Sequence, residues 1–98
     1  MGAQVKWLDY IFTSYQHTAQ WNNVAGIYIF AGVHQQNQWI PYYIGQADSF
    51  QDRIPSHEKW DKAQSLGATH VHALAVPQAA TRDQIETELI QAYQPRLN

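Results

Sequence analysis

The stretch GIYIFAGVHQQNQWIPYYIGQ, residues 26–46, decides how the rest of the chain is read. AGIYIFAGV is β-branched and aromatic, HQQN is polar, and WIPYYIGQA is strand-like again, so the segment reads as a β-hairpin. Pro41 has no N–H to give to a ladder, which places it on an edge strand or at a bulge. Gly26-Ile27-Tyr28 opens the first strand and Tyr43-Ile44-Gly45 closes the second. Side chains alternate along a strand, and a four-residue loop over 34–37 sets Tyr28 directly opposite Tyr43, with both hydroxyls on one surface. Tyrosine pairs on a sheet are common packing residues. Gly26 and Gly45, however, remove side chains beside the two phenols and let a ligand or a backbone come close.

Upstream, VKWLDYIFTSYQ has Val5, Leu8, Phe12 and Tyr15 at i, i+3, i+7 and i+10, which predicts an amphipathic helix. Asn22 and Asn23 interrupt it. Downstream, SFQDRIPSHEKWDKAQSLG is helical in composition but broken by Pro55, giving a short helix through Arg53 and a second opening near Ser56 and ending at Gly67. THVHALAV alternates as a third strand, with His70, His72 and Leu74 on one face and Val71, Ala73 and Ala75 on the other. Thr81 and Gln84 form a capping box for the helix RDQIETELIQAYQ, which Pro95 stops. The expectation is an α/β (α+β) fold: a small three-stranded antiparallel sheet flanked by helices, with an N-terminal helical extension over 1–21 and a core over 24–98.

At 98 residues this is one domain, large enough for a modest core. Without cysteine it has neither disulfides nor thiolate metal sites, and a reducing compartment is permitted. The N-terminus lacks a signal-peptide pattern and no stretch approaches the roughly 18 apolar residues of a membrane span, so a cytoplasmic protein without a membrane partner is expected. The net charge is −2 with six Lys and Arg, whereas nucleic-acid domains usually carry a basic stripe. Composition therefore argues against tight, autonomous DNA binding.

On the last helix Ile85, Leu89, Ile90 and Tyr93 share an arc, with Glu86 in its middle and Glu88 on the opposite, solvated side. A carboxylate on an apolar face loses hydration and calls for a cation, a donor or a metal. It is either a rim residue meeting Arg82 or another Arg, or a ligand.

Gly26-Ile27-Tyr28, Tyr43-Ile44-Gly45, Arg53, Glu86 in E-x-x-L-I, Pro95 and Asn98 occur in the order and spacing of the GIY-YIG nucleases, which this chain resembles from Gly26 onward. The run ELIQAYQPRLN is similar to the end of the catalytic module of the nucleotide-excision-repair member. The resemblance implies a metal-dependent endonuclease that hydrolyses a nucleic-acid phosphodiester, DNA before RNA, by in-line attack of water. Glu86 would hold one divalent ion, Mg²⁺ or Mn²⁺, which prefer oxygen ligands and retained water. Arg53 would fork onto the scissile phosphate. Tyr28 would position or deprotonate the water, although a free phenol is a poor base at neutral pH without a metal or cation beside it. Tyr43 would bond the phosphate or the water shell, Asn98 would orient the site, and Gly45 and Lys59 would lie against substrate. His57, four residues after Arg53, matches a position where some members carry a basic residue or histidine, but Pro55 breaks the helix that would put both on one face.

His70 and His72 form an H-x-H pair that can chelate zinc, although no third ligand is placed. Trp39 and Trp60 could stack on bases or pack in the core. The rival reading is a non-catalytic scaffold of the same fold that binds a protein or nucleic-acid partner, and the N-terminal segment could serve a homodimer.

Overall fold

The structure, a computed structural model, describes residues 3–34 and 36–98. The elements follow in the order β1 (Gln4–Trp7), β2 (Tyr10–Gln16), β3 (Gly26–Val33), β4 (Trp39–Ala47), α1 (Phe50–Arg53), α2 (Trp60–Leu66), β5 (His70–Ala75) and α3 (Ala79–Tyr93). The strands form one antiparallel sheet ordered β1-β2-β5-β3-β4. β3 is flanked by β4 and β5 and covered on both faces, which explains why its run is apolar throughout. Tyr28 and Phe30 project to the side of α1 and α2, among Phe50, Ile54, Trp60 and Val71. Ile27, Ile29 and Ala31 project to the side of α3, among Trp7, Phe12, Ile85 and Leu89.

The sheet has five strands rather than three, because the N-terminal helix expected from Val5, Leu8, Phe12 and Tyr15 is a β-hairpin. Its two-residue turn at Leu8 and Asp9 resets the alternation, so that Val5 pairs with Phe12 across the ladder instead of stacking beside it on a helix. Leu8 takes φ +53° there, and its N–H donates to the Tyr93 hydroxyl at 2.9 Å. This hairpin adds two strands to β5 by pairing β2 with it.

Two further boundaries differ from expectation. α2 opens at Trp60 rather than near Ser56, because residues after Pro55 form turns tied to His57: its carbonyl accepts from Trp60 N and its Nδ1 accepts from Lys59 N. α3 opens at Ala79 with Gln78 at its cap, so Thr81 lies in the first turn, where its hydroxyl reaches back to Gln78 Oε1 instead of capping with Gln84. The ends of α1 at Arg53 and of α2 at Gly67, with φ +130°, are as read.

Tyr28 and Tyr43 share a face without being directly opposite. The turn is one residue longer than 34–37, with His34 N bonded to Gln38 O, and a bulge leaves Tyr42 unpaired between Phe30↔Tyr43 and Ala31↔Pro41. Gln35 in this turn lies outside the described residues. Two single-residue slips preserve the faces, so Tyr28 stands opposite Gly45 and Tyr43 opposite Phe30. Pro41 sits beside this bulge on the edge strand, where its missing N–H costs the ladder nothing.

Candidate active site

On the α1/α2 face, Tyr28, Tyr43 and His57 form one aromatic cluster. The rings of Tyr28 and Tyr43 are 6.2 Å apart, and His57 lies 5.4 Å from the first and 5.1 Å from the second. Pro55 breaks the helix, yet the turns that follow bring His57 inward: it is buried, with Nε2 2.7 Å from the Tyr28 hydroxyl. Burial, then the Arg53 charge, holds the imidazole at a pKa of about 4, so it is neutral at pH 7. Because Nδ1 accepts the Lys59 N–H, the ring proton of this neutral form belongs on Nε2, and Nε2–H donates to the phenol oxygen. The Tyr28 hydroxyl proton is thereby turned away from His57. Burial raises the Tyr28 pKa above that of a free phenol while Arg53 pulls it down, and the same opposition acts on Tyr43.

Arg53 ends α1 and its charge acts on both phenols, but its fork is engaged. Glu58 accepts from Nη1 at 2.7 Å and from Nη2 at 2.8 Å, a bidentate pair. The guanidinium holds the Glu58 carboxyl at about 2, well below its ordinary value. Lys59 is half-buried and, among the described residues, makes no ion pair.

Glu86 approaches β4 from the opposite face. Along β4, Gly45 belongs to the tyrosine face and Gln46 to the α3 face. The Gln46 amide donates to Glu86 Oε1 at 3.0 Å and to Asp83 Oδ1 at 2.6 Å. Its orientation is set by Arg82, whose Nε reaches Gln46 Oε1 at 3.3 Å. Arg82, buried, is otherwise committed to Asp48 at 2.8 Å and to the carbonyls of Val76 and Pro77. Glu86 thus meets an amide rather than an arginine. Glu88 on the exposed side accepts from the Tyr10 hydroxyl.

Asn98 is pinned: its Oδ1 accepts from Ile44 N at 2.8 Å and its Nδ2 donates to Ile44 O at 2.7 Å, while Leu97 N bonds Tyr42 O. The side-chain amide completes the open edge of β4 as a neighbouring strand would, between the residues Tyr43 and Gly45. The space at Gly45 is filled by phenols, since a Cβ there would stand 2.5 Å from the Tyr28 hydroxyl and 3.0 Å from Tyr43 Cε2. At Gly26 the close neighbours are the Leu74 carbonyl and the Phe50 ring.

The other candidates lie elsewhere. His72 is fully buried with Nδ1 accepting from Trp7 Nε1, His70 bonds Thr69, and among the described residues no group of three or more His, Asp or Glu is placed to hold an ion. Trp60 stacks on His17 at 4.2 Å and Trp39 packs edge-on to His72. Among the described residues no helix is long and apolar enough to cross a membrane. Glu58 and Gln46 were missed in the sequence. Gln46 carries one signal, as the residue after Gly45 it must face α3, whereas Glu58 lies five residues from Arg53 at no helical or strand spacing.

No family model matches the chain, and no curated protein does. Solved structures match with high coverage. The GIY-YIG N-terminal endonuclease domain of UvrC from Thermotoga maritima, bound to its catalytic divalent cation, magnesium, is 25% identical at a TM-score of 0.64. The match covers 80% of this chain and 86% of that one. Point mutants of the same domain, an asparagine-to-alanine form and a tyrosine-to-phenylalanine form, both bound to the catalytic cation, match over the same shares of the two chains. Their TM-scores are 0.64 and 0.62 at 24% and 25% identity.

Proposed function

We propose that this chain, whose fold is that of a GIY-YIG nuclease domain, is a metal-dependent endonuclease that hydrolyses a phosphodiester of DNA by in-line attack of water, acting as one catalytic unit. The observation that carries the reading is convergence. Tyr28, Tyr43 and His57 meet on one side of the end of β4, where the Arg53 charge acts on all three, and Glu86 reaches that strand from the other.

The donor set fits a divalent ion. Glu86 is half-buried, and among the described residues its only protein partner is the Gln46 amide and no cation pairs with it. A site offering one carboxylate suits Mg²⁺ or Mn²⁺, which keep most of their waters. Bound there, such an ion supplies charge neutralisation at the phosphate oxygens and lowers the pKa of coordinated water.

The protein's own groups have separate tasks. Arg53 forks onto the non-bridging oxygens of the scissile phosphate. Tyr28, held from behind by the Nε2–H of His57, keeps its hydroxyl proton and an oxygen lone pair directed at the attacking water. With its pKa raised by burial it stays a neutral phenol at pH 7, so it orients that water and does not take its proton. Tyr43 bonds the phosphate or its water shell, Asn98 holds the β4 backbone between Tyr43 and Gly45 in place, and Lys59 lies against the nucleic acid, while Gly45, buried under the phenols, makes room for the Tyr28 hydroxyl rather than for substrate. Of the six cations one is buried against Asp48 and one paired with Glu58, so binding by the domain alone is weak, salt-sensitive and poorly selective. A partner or a second copy that delivers substrate is part of this proposal.

The test is cleavage of supercoiled plasmid and of short single-stranded, duplex and branched DNA and RNA at low salt with Mg²⁺, Mn²⁺ or chelator. Metal-dependent cleavage, lost in Arg53→Ala with unchanged circular dichroism, is the expected result. Unchanged cleavage in Arg53→Ala removes that residue from the mechanism. The occupied fork of Arg53 also suits a non-catalytic scaffold, and that reading stands if no substrate is cut and no Mn²⁺ is bound.

A further inference from the structure

The Arg53 fork already holds an anion. A carboxylate presents two oxygens in one plane to a guanidinium, the same face that two non-bridging phosphate oxygens present, and Glu58 makes both contacts at 2.7 and 2.8 Å. We infer that Glu58 is an internal competitor of the substrate phosphate at Arg53, a specificity residue that sets how strongly a phosphate must be held elsewhere before it gains the fork. The inference rests on the reading of Arg53 as the phosphate-binding residue.

Three features support an exchangeable contact rather than a structural one. The pair lies at the surface, with side chains 38% and 63% exposed, so solvent screens it and its net worth is small. The backbone on either side of Glu58 is anchored, by the buried His57 and by the buried Trp60 whose N–H bonds the His57 carbonyl. Glu58 can therefore leave by rotating its own side chain, with no loop to open. Its charge also acts on Tyr28 and Tyr43, raising both phenols, so the carboxylate lies within electrostatic reach of the proposed reaction centre.

A tethered carboxylate does not diffuse away. An isolated anion must displace it with no other contact to help, whereas a nucleic-acid strand held by neighbouring groups brings a phosphate to the fork at high local concentration. Free phosphate and mononucleotides are therefore poor ligands of the intact site, and a polyanion spanning several contacts is the ligand it admits.

The test is equilibrium binding of a fluorescein-labelled single strand and a duplex at low salt in chelator, where nothing is cut, with inorganic phosphate as competitor. Glu58→Gln keeps the shape and removes the charge. An exposed pair of this kind corresponds to up to about fivefold in affinity. Glu58→Gln is expected to tighten DNA binding by up to about fivefold and to lower the phosphate concentration needed for competition by a similar factor. The same substitution in an Arg53→Ala background is expected to change neither. Unchanged or weaker binding in Glu58→Gln, absence of DNA binding in both forms, or tightening that persists without Arg53 overturns the inference, the last because it shows a general charge effect. Arg53-dependent tightening in a protein that never cleaves leaves this inference standing and removes the nuclease reading. Metal-dependent cleavage with no effect of Glu58→Gln does the reverse.

Discussion

Two buried histidines make the domain sensitive to mild acid. His57 and His72 are 5% and 0% exposed, and burial holds each at a pKa of about 4, with Arg53 adding to the effect at His57 and His70 at His72. In the unfolded chain both titrate near 6.5. Between these values the unfolded state binds more protons than the folded one, so their contribution is fully present above pH 6.5 and is lost as pH falls toward 4. Integrated from pH 7 to pH 5, linkage gives about 2 kcal/mol per histidine and about 4 for the pair. That is a large share of the roughly 5–15 kcal/mol typical of a domain. Glu58, held at about 2 by Arg53, keeps its charge throughout this window and does not blur the reading. The assay is urea denaturation followed by tryptophan fluorescence at pH 7, 6 and 5. Each of His57→Gln and His72→Gln is expected to remove about half of the pH dependence, whatever its own effect on stability at pH 7. A protein equally stable at pH 7 and pH 5, or a double variant that keeps the full slope, refutes the reasoning.

Gly45→Ala places a Cβ against a Tyr28 hydroxyl that His57 prevents from yielding, so a loss of about 1–3 kcal/mol and of cleavage is expected; an unchanged melting temperature contradicts it. Asn98→Ala removes two hydrogen bonds to the Ile44 backbone and is expected to cost about 1–2 kcal/mol, measured by urea denaturation. In Glu86→Gln the half-buried charge is lost but the side chain is kept, so stability is preserved or rises while calorimetric Mn²⁺ binding disappears; a large loss of stability makes Glu86 a structural residue.

Local chemistry made part of this protein legible in the sequence. The hairpin over 26–46, the stop at Gly67 with its positive φ, the break at Pro55 and the alternation of His70–Ala75 all follow from what single residues permit or forbid to their own backbone. The spacing of Tyr28, Tyr43, Arg53, Glu86 and Asn98 likewise identified which residues to watch. What the sequence misled on were pairings between distant segments. Val5, Leu8, Phe12 and Tyr15 satisfy a helical period equally well as two strands with a turn at Leu8, and only the open edge of β5, some sixty residues later, selects the strands. The tertiary structure alone decided the slipped register of the tyrosines, the inward turn of His57, the docking of Asn98 on Ile44 and the capture of Arg53 by Glu58. Each of these depends on side chains meeting across space, where no periodicity in the sequence reports the distance.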